Sequence, residues 1–219
     1  MNTNRWLHTH EFRSAIDSAL STFDRRTHSD DKLRRAAVAL TISALPKTTA
    51  QSGSCSEACL LLTLRNSGMR RHAGQFALPG GKVDEGETLQ QACLRELSEE
   101  IGLELPEGNI LGRLDDFPTR SGFVISPFVV WNDTQEQPTA NPDEVARIYQ
   151  IPLLELAADN VAAIEEGPEG NPFLSIFPPS VNTRVYSPTA ALIYQFREVV
   201  LLGNTTRVAH FEQPAFAWR

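Results

Sequence analysis

Apolar residues recur at helical spacing near the start of the chain. Phe12, Ile16, Ala19, Leu20 and Phe23 line one side of residues 10–26 and predict an amphipathic helix. Residues 35–45 (RAAVALTISAL) fit helix or strand by periodicity, and their Val, Thr and Ile favour a strand. Small polar residues over 46–57 predict an exposed loop, and the apolar run 58–65 (ACLLLTLR) suits a buried strand. Further on, 109–117 and 122–131 alternate as strands about a turn at 120–122. Asn141-Pro142 opens a turn before a strand over 144–151, and 152–157 suits a short helix. The Pro-, Gly- and Glu-rich stretch 160–186 carries strands near 172–177 and 182–186. A helix over 188–202 then opens on Pro. Mixed strands with a few helices predict an α+β or α/β sandwich.

The chemistry concentrates in residues 81–103, GKVDEGETLQQACLRELSEEIGL. Thr88 is placed to cap a helix that meets no Gly or Pro until Gly102, where a left-handed terminus is expected. On that helix Glu96, Glu99 and Glu100 share a face, while Leu94, Leu97 and Ile101 form an anchoring apolar stripe. Carboxylates crowded in this way repel unless a counter-charge neutralises them, and a hard divalent cation with oxygen ligands does so. Arg95, four residues before Glu99, is placed to brace that carboxylate. Pro79-Gly80-Gly81 adds backbone freedom and a free carbonyl at Gly81 close to the metal. A solvated acidic helix is the plain alternative, but it needs none of the flanking spacing.

That spacing reads Gly81, five residues, Glu87, seven residues, Arg95-Glu96-Leu97, one residue, Glu99-Glu100, one residue, Gly102-Leu103. It resembles the Nudix hydrolase signature at every fixed position. The resemblance implies Mg²⁺ or Mn²⁺ bound by Gly81, Glu87, Glu96, Glu99 and Glu100, with Glu87 acting through water or as a brace of the loop. It also implies an α/β/α sandwich of Nudix type and hydrolysis of a diphosphate linked to another group. Residues 61–81 (LLTLRNSGMRRHAGQFALPGG) are similar to the coenzyme A diphosphatase branch through Leu62-Thr63-Leu64-Arg65, Arg70, Gly74 and Pro79-Gly80-Gly81. Tyr186-Ser187-Pro188-Thr189-Ala190 resembles the C-terminal element of that branch. Asn66, Leu78 and the run Asp84-Glu85-Gly86-Glu87-Thr88 depart from it.

For coenzyme A the resemblance implies 3′,5′-ADP and 4′-phosphopantetheine as products. ADP-ribose, NADH or a nucleoside triphosphate are the rival substrates within the family. A non-catalytic metabolite sensor is the rival class, but such modules usually lose a carboxylate of the box, and none is missing here. Arg65, Arg70 and Arg71, with His72 beside them, form a basic cluster suited to substrate phosphates. Glu99, braced by Arg95, is the first candidate for the base. Glu144, on the loop after Asn141-Pro142-Asp143, is the second, with Glu165 and Glu166 behind it. Phe123, Phe128, Trp131 and Tyr149 are aromatic candidates for a base pocket, each equally suited to strand packing.

Composition narrows the partners. The 219 residues suit an N-terminal helical extension (1–33), one catalytic domain (34–202) and a tail (203–219). A hydrophobic content of 41% can fill a core, and a net charge of −7 argues against a nucleic-acid surface. No apolar run reaches membrane-spanning length and the N-terminus has no apolar leader core, so a cytoplasmic enzyme acting on a small nucleotide diphosphate is expected. Cys55, Cys59 and Cys93 read as reduced thiols. The N-terminal extension is expected to pack on the domain or to mediate a homodimer. The tail, with Phe211, Phe216 and Trp218, is expected to dock on its own core or on a partner subunit.

Overall fold

The computed structural model describes residues 6–46, 55–68, 73–134, 136–167 and 171–214. Eight strands form its central sheet: β1 (Arg34–Ala44), β2 (Ala58–Arg65), β3 (Phe76–Ala77), β4 (Gly80–Lys82), β5 (Ile110–Arg113), β6 (Phe117–Pro118), β7 (Phe123–Trp131) and β8 (Val145–Pro152). The main order is β3-β2-β1-β7-β5, with β4 on β1, β6 on β7 and β8 on β2. β1 and β7 run parallel from Arg34 opposite Phe123 to Ile42 opposite Trp131. The remaining pairs are antiparallel.

Successive strand side chains point to opposite faces, and here the two faces feed two separate cores. Ala37, Ala39, Cys59 and Leu61 pack with Cys93, Leu97 and Ile101 of α2 (Leu89–Ile101). Leu40, Ile42, Leu60 and Leu62 face the other way, onto α1 (His10–Thr22) and α4 (Thr189–Phe196). Each fully buried Leu, Ile or Phe contributes about 1.5–3 kcal/mol. The result is the expected α+β sandwich, with the box helix alone on one side of the sheet. α1 buries Phe12, Ile16 and Leu20 in the same core as the sheet.

The run expected as one strand over 109–117 is broken into β5 and β6. Between them Asp115 and Asp116 turn inward, and buried carboxylates need partners that a strand ladder cannot supply. Asp115 accepts from the Arg26 N–H (2.7 Å), Gln195 Nε2 (2.8 Å) and Arg207 (2.8 and 2.9 Å). Asp116 accepts from the His28 N–H, Arg35, Ser126 and Arg113. The helix expected over 188–202 is regular only to Phe196. From there Arg197–Leu201 widens into a π turn, with the Arg197 guanidinium donating to the Leu156 and Ala158 carbonyls.

Within 160–186 the structure adds a strand that the Pro- and Gly-rich composition hid. β9 (Ala162–Glu166) pairs with β10 (Pro172–Ile176), and β10 pairs with a β11 of only two residues, Val185–Tyr186. Asn182, in the turn before β11, is left-handed (φ 57°). The short α3 (Leu153–Leu156) lies where expected. In the tail Phe211 is buried and the Glu212 N–H donates to Pro172 O (2.8 Å). Phe216, Trp218 and most of the 46–57 loop lie outside the described residues. Cys59 and Cys93 are buried free thiols, each pushed up to about 12 by burial, and Cys55 is exposed and free. Among the described residues no helix is long and apolar enough to cross a membrane.

Candidate active site

The box forms as a loop closed onto a capped helix. The Thr88 hydroxyl accepts from the Gln91 N–H (3.1 Å) and the Gln91 side chain accepts from the Thr88 N–H (2.9 Å). At the other end Gly102 (φ 67°) donates its N–H to Ser98 O at 3.0 Å. The preceding loop closes where the Asp84 N–H meets the Glu87 carboxylate at 3.0 Å. These local bonds fix the phase of the helix, so the acidic face meets the loop that carries Gly80 and Gly81.

Arg95 stands at the centre of the carboxylates. Its Nε and Nη2 grip Glu87 at 2.9 and 3.1 Å, while Nη1 donates to Glu96 (2.9 Å) and Glu99 (2.8 Å). A further bond reaches Lys82 O at 3.2 Å. Glu87 is therefore a brace of the loop in this structure, and the bond from Arg95 lowers its pKa. Glu100 is not held by Arg95 and is almost fully buried. It accepts from Arg65 Nη1 (3.2 Å) and from the Gly80 N–H (3.3 Å). Burial pushes Glu100 up to about 7 against the pull of Arg65, with Glu96 and Glu144 adding to the rise. Burial also raises Glu96; Arg95 opposes this, and Glu99 and Glu144 reinforce it.

Glu144 reaches this cluster through tertiary contacts. The N–H groups of Thr139 and Asn141 cap the Ile101 and Glu100 carbonyls (2.8 and 2.9 Å), and the Asn141 side chain caps Glu99 O (3.1 Å). These contacts satisfy carbonyls that a helix end leaves open. The Asn66 N–H then holds Glu144 O at 2.8 Å, and a register shift after Leu64 sets Arg65 opposite Val145. Sequence reasoning singled out Glu144 but not Asn141, whose capping role depends on two loops meeting.

The donor chemistry fits a hard divalent cation. Five carboxylates (Glu87, Glu96, Glu99, Glu100 and Glu144) gather about two guanidiniums, Arg95 and Arg65, and the neighbouring carboxylates add to the rise that burial imposes on Glu96 and Glu100. Among the described residues no three acidic, imidazole or thiol groups converge into a finished ligand shell, because Arg95 holds three of the carboxylates. The approach of the Gly81 backbone to Glu96 is close enough that a Cβ there would lie 2.2 Å from Oε1. Backbone and carboxylate oxygens are thus packed together without a side chain between them.

Beside Gly80 and Gly81 opens a cavity of about 700 Å³. Its lining comes from β1, β7 and the 73–78 segment, through Val38, Ile125 and Phe76, and from Tyr186–Thr189 with Leu192. Arg65, Lys82 and Arg184 are the charged residues among those lining it. Of the aromatic candidates Phe123 lines this cavity, with the Arg34 guanidinium 3.9 Å from its ring centre. Phe128 and Trp131 are core residues, and Tyr149 packs edge-on against Phe76. Glu165, on β9, pairs with the cavity-lining Arg184, and Glu166 is exposed on the same strand. Arg70, Arg71 and His72 lie outside the described residues. The cavity residues Ile125 and Leu192 carried no sequence signal, since apolar positions in strands and helices read as core.

A family model for the NUDIX domain matches residues 47–168, more than half of the chain. The uncharacterized Nudix hydrolase NudL of Photorhabdus laumondii is 31% identical over 172 residues, which cover 78% of this chain and 87% of that protein. NudL of Yersinia enterocolitica is 39% identical over 100 residues, 45% of this chain and about half (51%) of the length of that relative. A solved MutT/nudix family protein from Enterococcus faecalis superposes with a TM-score of 0.47 at 16% identity, covering 73% of this chain and 52% of that one. With the domain matched over most of its sheet and the box complete on its helix, this chain belongs to the Nudix hydrolase family.

Proposed function

We propose that this enzyme hydrolyses the diphosphate of coenzyme A and its acyl derivatives, giving 3′,5′-ADP and 4′-phosphopantetheine. One observation carries the reading. The two segments that resemble the coenzyme A diphosphatase branch, 61–81 and 186–190, lie far apart in sequence yet both line the cavity beside the box.

In this reading Glu96, Glu99 and Glu100, with the Gly81 backbone, hold Mg²⁺ or Mn²⁺, and Glu87 supports them through Arg95. The bound cation supplies Lewis-acid polarisation and charge neutralisation at the diphosphate. Arg95 keeps Glu87, Glu96 and Glu99 on one side of the helix. Glu144 takes the proton of the attacking water. Its carboxylate accepts no hydrogen bond among the described residues, its backbone being held by Asn66 and Asn141, whereas the Glu99 carboxylate is held by Arg95, so Glu144 is the freer base of the two. Arg65 faces the cavity from its bond to Glu100, and Arg70 and Arg71 on the same connection serve the 3′-phosphate.

Mass spectrometry of products tests this directly, with coenzyme A, ADP-ribose and NADH incubated in parallel with Mg²⁺ or Mn²⁺. Release of 3′,5′-ADP and 4′-phosphopantetheine, abolished by a chelator, is expected. Production of AMP from ADP-ribose or NADH while coenzyme A stays intact overturns the substrate assignment and leaves only the family.

A further inference from the structure

Resting on the coenzyme A reading, the geometry points to the 700 Å³ cavity as the site of the substrate's pantetheine arm and its acyl chain, with Ile125, Tyr186 and Leu192 setting acyl preference. The volume lies within the range of about 300–1,000 Å³ typical of small-molecule sites. It adjoins Gly80 and Gly81, so an arm running into it leaves its diphosphate end beside the box carboxylates.

Charge decides which end of the substrate enters. The adenosine end carries a 3′-phosphate, whereas the other end is an uncharged chain of two amides closing in a thiol or thioester. The cavity's cations are largely engaged: Arg65 by Glu100 (3.2 Å), and Arg184 by Glu165 (3.1 Å) and Ser175 (2.9 Å). Lys82 belongs to the box loop, at the diphosphate end. The apolar part of the lining includes Val38, Phe76, Ile125 and Leu192, among which an unpaired phosphate would be costly to bury. Neutral Gln75 and Ser121 suit the amides. Tyr186 and Leu192 lie beyond residue 168, where the family match ends, whereas Ile125 lies within it.

Steady-state kinetics with coenzyme A, butyryl-coenzyme A and octanoyl-coenzyme A test the assignment, using wild type, Ile125→Trp and Tyr186→Ala. Burial of a few methylenes predicts a KM for octanoyl-coenzyme A about tenfold or more below that for coenzyme A. Ile125→Trp, which narrows the cavity, is expected to erase that advantage. Should Ile125→Trp not fold, Tyr186→Ala on the exposed side of β11 carries the same test by shifting the preferred chain length. Equal KM values for all three substrates, indifferent to a folded variant, overturn this assignment while leaving the coenzyme A reading intact. Cleavage of none of the three overturns that reading and this assignment together.

Discussion

The box and the cavity meet at Gly80 and Gly81 but are built in opposite ways. The box is one continuous run whose contacts span a few residues: Arg95 reaches Glu87, Glu96 and Glu99, and Thr88 reaches Gln91. The cavity draws its walls from β1, β7, the 73–78 segment, β11 and α4, and holds them with long-range bonds such as Thr189 Oγ1 to Phe76 O (3.1 Å). The box is acidic and short of counter-charge, whereas the cavity is mostly apolar. The acidic helix face is therefore encoded within one segment, while the cavity, like the approach of Glu144 to the box, depends on the completed fold.

The largest expected effect separates chemistry from folding. Glu144→Gln should lower kcat by about 10²–10⁴-fold, as loss of a general base does. Thermal unfolding of that variant should match wild type, since no hydrogen bond of its carboxylate is lost. Retention of full activity would return the base to Glu99 and place catalysis wholly inside the box.

Next comes the hinge of the comparison. A Cβ at Gly80 would lie 2.3 Å from Ala37 O and 2.6 Å from Val38 Cα, and backbone of a central strand cannot yield. Gly80→Ala should cost about 3 kcal/mol, at the upper end of overpacking, and should damage box and cavity together. Gly81→Ala meets only the Glu96 carboxylate, which can swing away. It should unfold near the wild-type temperature while losing activity, and equal melting of the two variants would break the distinction.

The smallest effect concerns the scaffold behind the cavity. Burial alone would raise Asp116, but bonds from the His28 N–H and Ser126, with Arg113 and Arg35 nearby, bring it below its ordinary value. A lowered carboxyl adds stability that is present above its unfolded value, near 3.8, and is lost as pH falls through the folded one. Wild type should therefore lose melting temperature below about pH 4 more steeply than Asp116→Asn does. Parallel curves would mean that Asp116 titrates alike in both states.

How much was legible in advance follows the same division. Thr88, Gly102 and the carboxylate face of α2 were readable because each depends on neighbours within a helical turn or two. β2 and α1 were readable from their apolar periodicity. The break between β5 and β6 was not, because Asp115 and Asp116 are satisfied by Arg207, Gln195 and Arg35, residues brought near only by folding. β9 was hidden because its strand character comes from pairing with β10 and not from composition.

By itself, then, the sequence determined the box helix, its acidic face, its caps and the family, since these are properties of spacing along one chain segment. Only the tertiary structure decided that Glu144 would stand beside Glu100, that Arg65 would be bound to that carboxylate, and that 61–81 and 186–190 would wall one cavity. The physical reason is that burial and long-range hydrogen bonding depend on which strands lie side by side, and that arrangement is not written in any local pattern.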